Sequence, residues 1–213
     1  MTTKMQKSEI RQVTGLKVDE GRTVTGLAIP VESRSALLYD PNASQRRFYE
    51  TISRSAVTEE LISNNDIRLL YNHEKRNGTL GRSKFGEGSL RLFIEDDGLH
   101  FECELPETNL GDAMLSGIRR GEIDAVSFEF YKGEDDWTKN DDGTWNRTIR
   151  SFSRVTECSL LDVQPAYDDT SVALRELEEH IEQEAEEERK KQELLEKLET
   201  KKQDINKLCN ELI

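Results

Sequence analysis

The sequence predicts a mainly β or α+β fold, an antiparallel β-barrel surrounded by a few helices, followed by a charged helical tail. Short segments of alternating apolar and polar residues recur along residues 8–172 and are joined by glycine-containing turns, as in barrels and sandwiches. From about Ala173 onward aromatic residues are absent and Glu, Lys, Leu and Gln dominate. We therefore place a globular domain at residues 1–172 and the tail at residues 173–213.

The N-terminal half is predicted to contain a hairpin, a loop, a helix and a strand. Residues 8–31 alternate on both sides of a glycine turn and predict the hairpin, and residues 32–48 form a polar loop. A short helical pattern at residues 58–65 precedes a strongly apolar strand at residues 66–71. This strand ends just before His73, and strand ends often carry functional side chains.

The C-terminal half of the globular part predicts a second hairpin, a helix and further strands. Residues 89–105 form the hairpin, and the apolar spacing of residues 109–120 predicts a helix that ends at Gly121. The segment from Gly121 to Phe130 then alternates as a half-buried strand. A tryptophan-flanked hairpin and an alternating segment at residues 147–161 complete this part.

The tail has an incomplete heptad pattern, which predicts a weak coiled coil. One heptad position holds Leu174, Ile181, Leu195 and Cys209, and the position three residues later holds Leu177, Leu198, Ile205 and Leu212. Four charged residues interrupt this seam: Glu184, Glu188, Lys191 and Lys202. A solvated single helix or a disordered charged tail is the alternative.

Composition excludes several classes of function. The formal net charge of -13 argues against nucleic-acid binding, which needs a basic surface. The chain has no apolar stretch of signal-peptide or membrane-span length, so we expect a soluble intracellular protein without a membrane partner. The three cysteines lack the spacing of a disulfide framework or a zinc site, and we expect neither a metal nor a cofactor.

Ser127 is a candidate nucleophile because a strand holds it between Val126 and Phe128 in a fixed position. A hydroxyl nucleophile needs a base within hydrogen-bond reach, and the base needs a third group that orients it. His73 is the candidate base, since His100 lies within a strand and His180 within the acidic tail. The candidates for the third group are Glu157, Asp162, Asp124 and Glu129.

The chain resembles the prohead (capsid maturation) proteases of tailed bacteriophages. The resemblance follows the order and spacing of several short motifs: Gly26-Leu27-Ala28-Ile29-Pro30, Leu69-Leu70-Tyr71-Asn72-His73, Leu80-Gly81-Arg82, Leu105-Pro106-Glu107-Thr108, Ile118-Arg119-Arg120-Gly121, Val126-Ser127-Phe128-Glu129-Phe130, Glu157-Cys158-Ser159-Leu160 and Gln164-Pro165-Ala166-Tyr167. It implies a serine endopeptidase that is similar in fold to the herpesvirus assembly proteases. Ser127 would be the nucleophile, His73 the general base and Glu157 the third member, where the herpesvirus enzymes use a histidine.

The resemblance also implies substrates and a location. The substrates would be the major capsid protein or its scaffold segment, and the protease itself, inside the prohead that assembles in the host bacterial cytoplasm. The tail would dock on scaffold or capsid and be removed by self-cleavage. The oligomeric state stays open, with a homodimer or larger oligomer as one alternative. The competing functions are a non-catalytic scaffolding or assembly factor and a metal- or carboxylate-dependent hydrolase.

Overall fold

A computed structural model describes residues 8–40, 43–162 and 171–211 of the chain. Within these ranges the strands are β1 (Glu9–Thr14), β2 (Lys17–Val18), β3 (Thr23–Pro30), β4 (Leu38–Asp40), β5 (Ala43–Ile52), β6 (Asp66–Tyr71), β7 (Gly81–Lys84), β8 (Glu87–Gly88), β9 (Leu90–Glu95), β10 (Gly98–Glu104), β11 (Ala125–Lys132), β12 (Asp135–Lys139), β13 (Trp145–Ile149) and β14 (Phe152–Leu161). The α-helices are α1 (Glu59–Ser63), α2 (Asn109–Arg120) and α3 (Ser171–Glu211). Two 3₁₀ turns occupy Arg54–Ala56 and Lys75–Asn77.

The strands form three open sheets. The six-stranded sheet has the order β1-β11-β14-β6-β7-β8, and the four-stranded sheets have the orders β2-β3-β10-β9 and β12-β13-β5-β4. Pairing is antiparallel except for β14 with β6 and β13 with β5, which are parallel. The prediction of a mainly β fold with a few helices is confirmed. Within the described ranges the pairing does not close a barrel, because each sheet keeps two edge strands.

Local signals placed most elements correctly. Thr58 caps the N-terminus of α1 through its side chain, and Gly121 ends α2 with a left-handed φ of 71°. The predicted polar loop at residues 32–48 is wrong in part, because it contains β4 and the first half of β5. Backbone pairing with the neighbouring strands, without an apolar alternation, defines that part of β5. The alternating segment at 147–161 divides between β13 and β14, which belong to different sheets.

One hydrophobic core lies against the six-stranded sheet. Val126, Phe128 and Phe130 of β11 enter it together with buried residues of β3, β10, α1 and α2. Successive side chains of a strand point to opposite faces of its sheet. The alternation predicted for β11 is therefore confirmed, and Ser127 lies on the face away from this core.

A buried ionic cluster connects β1 at the edge of the six-stranded sheet to the sheet that contains β5 and β13. Arg147 is fully buried and its guanidinium bonds Glu9, Glu50 and Asp135 at 2.6 to 2.9 Å. Arg11 also bonds Glu9 and Glu50. Burial alone would raise the pKa of Glu50, but the charges of Arg11 and Arg147 outweigh it and lower that pKa. Each charge in the cluster has a partner, which a buried charge requires.

The long helix lies in a second unit of the chain. Contacts between residues divide the chain into Met1–Leu174 and Arg175–Ile213. The tail is helical as predicted, and α3 continues through 41 residues. The coiled-coil pairing and the exact boundary between residues 172 and 173 stay predictions. No helix in the described part of the chain is long and apolar enough to cross a membrane.

The ionic cluster yields a stability prediction. Replacing Arg147 by Met removes the central cation and leaves buried carboxylates with too few partners, so the free energy of unfolding should fall by about 3–5 kcal/mol. The matched control is Arg150→Met, which breaks an exposed pair with Asp136 and should cost at most about 1 kcal/mol. Urea unfolding at neutral pH measures both changes, and equal costs would contradict a structural role for the cluster.

Acid should weaken the same cluster. The folded-state pKa of Glu50 is lowered, so its contribution to stability is present above its unfolded pKa of about 4.3. That contribution is lost as the pH falls through the lower folded-state value. The difference in unfolding free energy between Arg147→Met and the wild type should therefore shrink in acid, as measured by urea unfolding at a series of pH values.

Candidate active site

Ser127 lies within the six-stranded sheet, on the strand next to the edge strand β1. In β11 it pairs with Gln12 of β1 on one side and with Ser159 of β14 on the other. Residues that are directly opposite in neighbouring strands share a face, so Ser127 and Ser159 are neighbours on the face away from the core. The side chain of Ser127 is fully buried, and its Oγ makes no hydrogen bond with any described residue.

Strand β14 supplies an acidic side chain to the same face. Glu157 lies two residues before Ser159, and it pairs with Glu129 of β11. Glu157 is almost fully buried, whereas its neighbour Cys158 points into the core. The predicted enclosure of the Glu157 carboxylate is thus confirmed.

His73 reaches this face by a reversal of the chain after β6. Asn72 and His73 both have left-handed backbone conformations, with φ of 48° and 60°, and the amide of Glu74 bonds the carbonyl of Tyr71 at 2.9 Å. Two successive left-handed residues turn the chain tightly, which for residues other than glycine is uncommon. The turn brings Nδ1 of His73 to 2.5 Å from Oε1 of Glu157.

Asp162 holds this turn. Its Oδ1 accepts a hydrogen bond of 2.7 Å from the side-chain amide of Asn72, and its Oδ2 accepts one from the hydroxyl of Tyr71. The bond from Tyr71 is the main reason that the pKa of Asp162 is lowered, and the same bond raises the pKa of Tyr71. Asp162 therefore fixes Tyr71 and Asn72, which lead the chain into the bend.

Ser159 contacts both members of the pair that His73 and Glu157 form. Its Oγ lies 3.3 Å from Oε1 of Glu157 and 3.4 Å from Nδ1 of His73. Ser159 was not among the site residues predicted from the sequence. A signal existed, because Ser159 lies two residues after Glu157 in an alternating strand, and both side chains must share one face.

Lys75 lies beside two neighbouring carboxylates. Its Nζ is 3.5 Å from Oε2 of Glu157 and 3.6 Å from Oε2 of Glu129. Burial works to raise the pKa of Glu129, but hydrogen bonds from Ser8 and Thr156 and the charge of Lys75 outweigh burial and lower it. Like charges directly opposite each other destabilise a sheet, and a cation between them reduces that repulsion.

The remaining polar atoms of the site are complementary. Nδ1 of His73 is hydrogen-bonded to the carboxylate of Glu157. Because a carboxylate only accepts hydrogen bonds, Nδ1 carries the proton and Nε2 is the basic nitrogen. Nε2 of His73 and Oγ of Ser127 are both buried without a hydrogen-bond partner among the described residues. A buried polar atom without a partner costs about 1–3 kcal/mol, which marks this face as a functional surface. The two atoms are not bonded to each other in this structure.

Other candidate residues do not contribute a nucleophile or a third group here. Asp124 is exposed and precedes β11. Burial raises the pKa of the Cys158 thiol to about 12, so this thiol stays protonated at neutral pH. His100 lies in β10, as predicted, and its Nε2 bonds Asp97 at 2.6 Å next to the exposed Glu95. That small group of His100 and two acidic residues sits at the β9–β10 turn.

Comparison with known proteins identifies the family. The family model of the caudovirus prohead serine proteases matches residues 6–184, so the chain belongs to this family. It is a serine protease of phage capsid maturation and acts inside the assembling capsid, and the alternative of a non-catalytic scaffolding factor is not favoured.

Solved structures and curated sequences add little to this assignment. A similar solved structure is that of the bacteriophage T4 capsid assembly protease, with 12% identity and a TM-score of 0.43 over 75% of this chain and 99% of that chain. None of the curated protein sequences matches.

The bend at Asn72 yields a prediction about its backbone. Asn72→Val places a β-branched residue at a positive φ, whereas Asn72→Gly permits that φ without strain, and both variants lose the bond to Asp162. We expect the valine variant to be less stable than the glycine variant by about 1–2 kcal/mol. Thermal or urea unfolding of the two variants measures this difference, and equal stabilities would show that the bend does not require a left-handed residue.

Proposed function

We propose that Ser127 is the nucleophile of the protease, that Nε2 of His73 is its general base, and that Glu157 orients and stabilises the imidazole. The observation that carries the proposal is the hydrogen bond of 2.5 Å between Glu157 and His73, formed on the face of the sheet that Ser127 shares. The third group fixes the protonated nitrogen, and the basic nitrogen is left for the nucleophile.

In this proposal the reaction is acyl transfer to Ser127. Its Oγ attacks the scissile carbonyl carbon while Nε2 of His73 takes the hydroxyl proton. The carbon–nitrogen bond then breaks, and the same proton passes from Nε2 to the leaving amine. A water molecule, activated by Nε2, hydrolyses the ester. General-base help of this kind accelerates a reaction by roughly 10²–10⁴-fold.

The buried environment suits the charge that develops during this reaction. The imidazolium formed in the first step lies against Glu157, which is almost fully buried, and electrostatic attraction is stronger in such a site than in water. Because Ser127 is itself buried, a peptide can reach its Oγ only after a local displacement of the residues above it. The gap between Ser127 and His73 closes in the same step, since catalytic hydrogen bonds often tighten only when substrate binds.

The proposed substrates are the major capsid protein or its scaffold segment, and the protease chain itself. Their cleavage takes place inside the prohead, which assembles in the cytoplasm of the host bacterium. Residues 1–172 form the protease domain in this proposal. Membership of the prohead protease family supports the class of substrate.

The assignment of Ser127 predicts the behaviour of a simple variant. On co-expression with the capsid protein, the wild type should convert capsid protein and protease to shorter fragments, and Ser127→Ala should leave both at full length. Mass spectrometry of intact proteins and fragments measures the conversion. The matched control is Ser63→Ala, an exposed serine of α1, which should cleave as the wild type does. Cleavage by Ser127→Ala at the wild-type rate would refute the assignment.

We expect Ser159 to act as a positioning residue. Its hydroxyl lies within hydrogen-bond reach of Glu157 and His73, whereas the hydroxyl of the neighbouring Ser127 makes no hydrogen bond with a described residue and is the one left to attack the substrate. Ser159→Ala removes one hydrogen bond to a charged group, worth about 1.5–3 kcal/mol. We expect kcat on a capsid-derived peptide to fall by roughly 10–100-fold with little change in KM. Ser159→Thr keeps the hydroxyl and should recover most of the activity.

A serine-directed phosphonate separates this role from that of a nucleophile. It should label Ser127 in the wild type and, more slowly, in Ser159→Ala, and peptide mapping identifies the labelled residue. If the label instead appears on Ser159 in the wild type, then Ser159 is the nucleophile and the two roles are exchanged. Labelling of Ser127 at the wild-type rate in Ser159→Ala would contradict the positioning role of Ser159.

A further inference from the structure

The middle of α3 is a solvent-exposed stretch of helix. Every residue from 182 to 199 is exposed, a length of about 27 Å at 1.5 Å per residue. Isolated helices have marginal stability in water, and most helices gain their stability by packing one face. This segment also carries large apolar side chains in water, since Leu194, Leu195 and Leu198 are each more than half exposed.

The charges of α3 divide the helix into two oppositely charged parts. Residues 175–188 contain eight glutamates and one arginine, whereas residues 189–207 contain seven basic and four acidic residues. The N-terminal part is therefore strongly acidic and the C-terminal part is basic. In an antiparallel pair of such helices the two acidic parts lie at opposite ends, whereas in a parallel pair they lie side by side.

We propose that α3 pairs with α3 of a second copy of this chain in an antiparallel two-helix coiled coil. The heptad seam distinguishes this arrangement from a parallel one. In a parallel pair each seam residue faces its own copy, so the seam would stack Glu184 on Glu184 and Lys202 on Lys202, together with like pairs at Glu188 and Lys191. Four seam layers would then hold like charges, which is destabilising.

Antiparallel pairing turns these interruptions into complementary contacts. In the register centred on position 193, Glu184 faces Lys202 of the second copy, and Ile181 is level with position 205, another isoleucine. In the same register Glu188 and Lys191 lie level with Leu198 and Leu195, whose exposed apolar surface their methylene stems cover. The contact between Glu184 and Lys202, which occurs twice in the pair, then favours this direction and this register.

This inference is independent of the proposed catalytic residues, because it concerns the surface of α3 alone. A competing occupant of the same surface is a segment of capsid or scaffold protein. The two occupants can be distinguished by experiment. Only in self-pairing does the effect of a charge change at position 184 on binding depend on the charge at position 202.

A charge exchange in the full chain tests the proposal, with Ser127→Ala in every variant to prevent self-cleavage. Sedimentation equilibrium measures the dimer dissociation constant. Glu184→Lys and Lys202→Glu should each weaken the dimer by at least about tenfold, because each creates two like-charge contacts per dimer. The double variant Glu184→Lys with Lys202→Glu should restore the original dissociation constant. The matched control is Glu193→Lys, which makes the same charge change at a position on the outer face and should leave the dimer unchanged.

Disulfide crosslinking determines the direction of the helices. With Cys209→Ser in the background, Glu184→Cys and Lys202→Cys should each fail to crosslink alone and should form a disulfide-linked dimer when the two variants are mixed and oxidised. A crosslink of Glu184→Cys to itself would show parallel pairing and overturn the proposal. A chain that is monomeric without capsid protein, or a dimer that all of the charge variants leave intact, would overturn it as well.

Discussion

The parallel pairing of β14 with β6 is the constraint on which the site depends. Parallel strands end at the same side of a sheet, so the chain that leaves β6 at Tyr71 emerges next to the end of β14. A reversal of the chain at two residues then brings His73 into contact with Glu157. Asp162, which directly follows β14, bonds Asn72 and so fixes this reversal. An antiparallel arrangement would have put the exit from β6 beside the start of β14, away from Asp162.

The six-stranded sheet has an apolar face and a polar face, because successive side chains of each strand point to opposite sides. On one face Val126, Phe128 and Phe130 pack into the hydrophobic core, and on the other face Ser127 lies beside buried polar groups. The core face fixes the backbone of β11, so the position of Ser127 is set by side chains on the opposite face of the sheet. The charged cluster around Arg147 has a corresponding effect at the edge of the sheet, because it ties β1 to strands of another sheet through buried ion pairs.

The sequence predicted the local features of this site well and its non-local features poorly. Alternation alone put Ser127 on the face opposite Phe128, and the apolar strand at 66–71 put His73 at a strand end. Glu157 and Asp162 lie on or directly after the same strand, and only the bend at Asn72 and His73 shows that Glu157 contacts the imidazole whereas Asp162 bonds Tyr71 and Asn72. That bend depends on the pairing of β14 with β6, two segments that are far apart in the sequence. For the same reason the sequence predicted a closed antiparallel barrel, because hairpin signals are local whereas the parallel crossovers of β6 to β14 and β5 to β13 are not. The alternation of β14 already puts Ser159 on the same face as Glu157, but its contact with the imidazole depends on the bend at His73.

In the tail, by contrast, the features that predict pairing are the heptad and charge patterns of the sequence. The charged residues that interrupt the heptads weaken the prediction of a coiled coil only if each residue must face its own copy. When the helices run in opposite directions, Glu184 and Lys202 fall opposite each other, and Glu188 and Lys191 fall opposite leucines and no longer opposite their own copies. The number of apolar layers is modest, so such a pair would be weak in dilute solution and would depend on a high local concentration. A prohead confines many protein copies in a small volume, and pairing that is weak elsewhere would be favoured there.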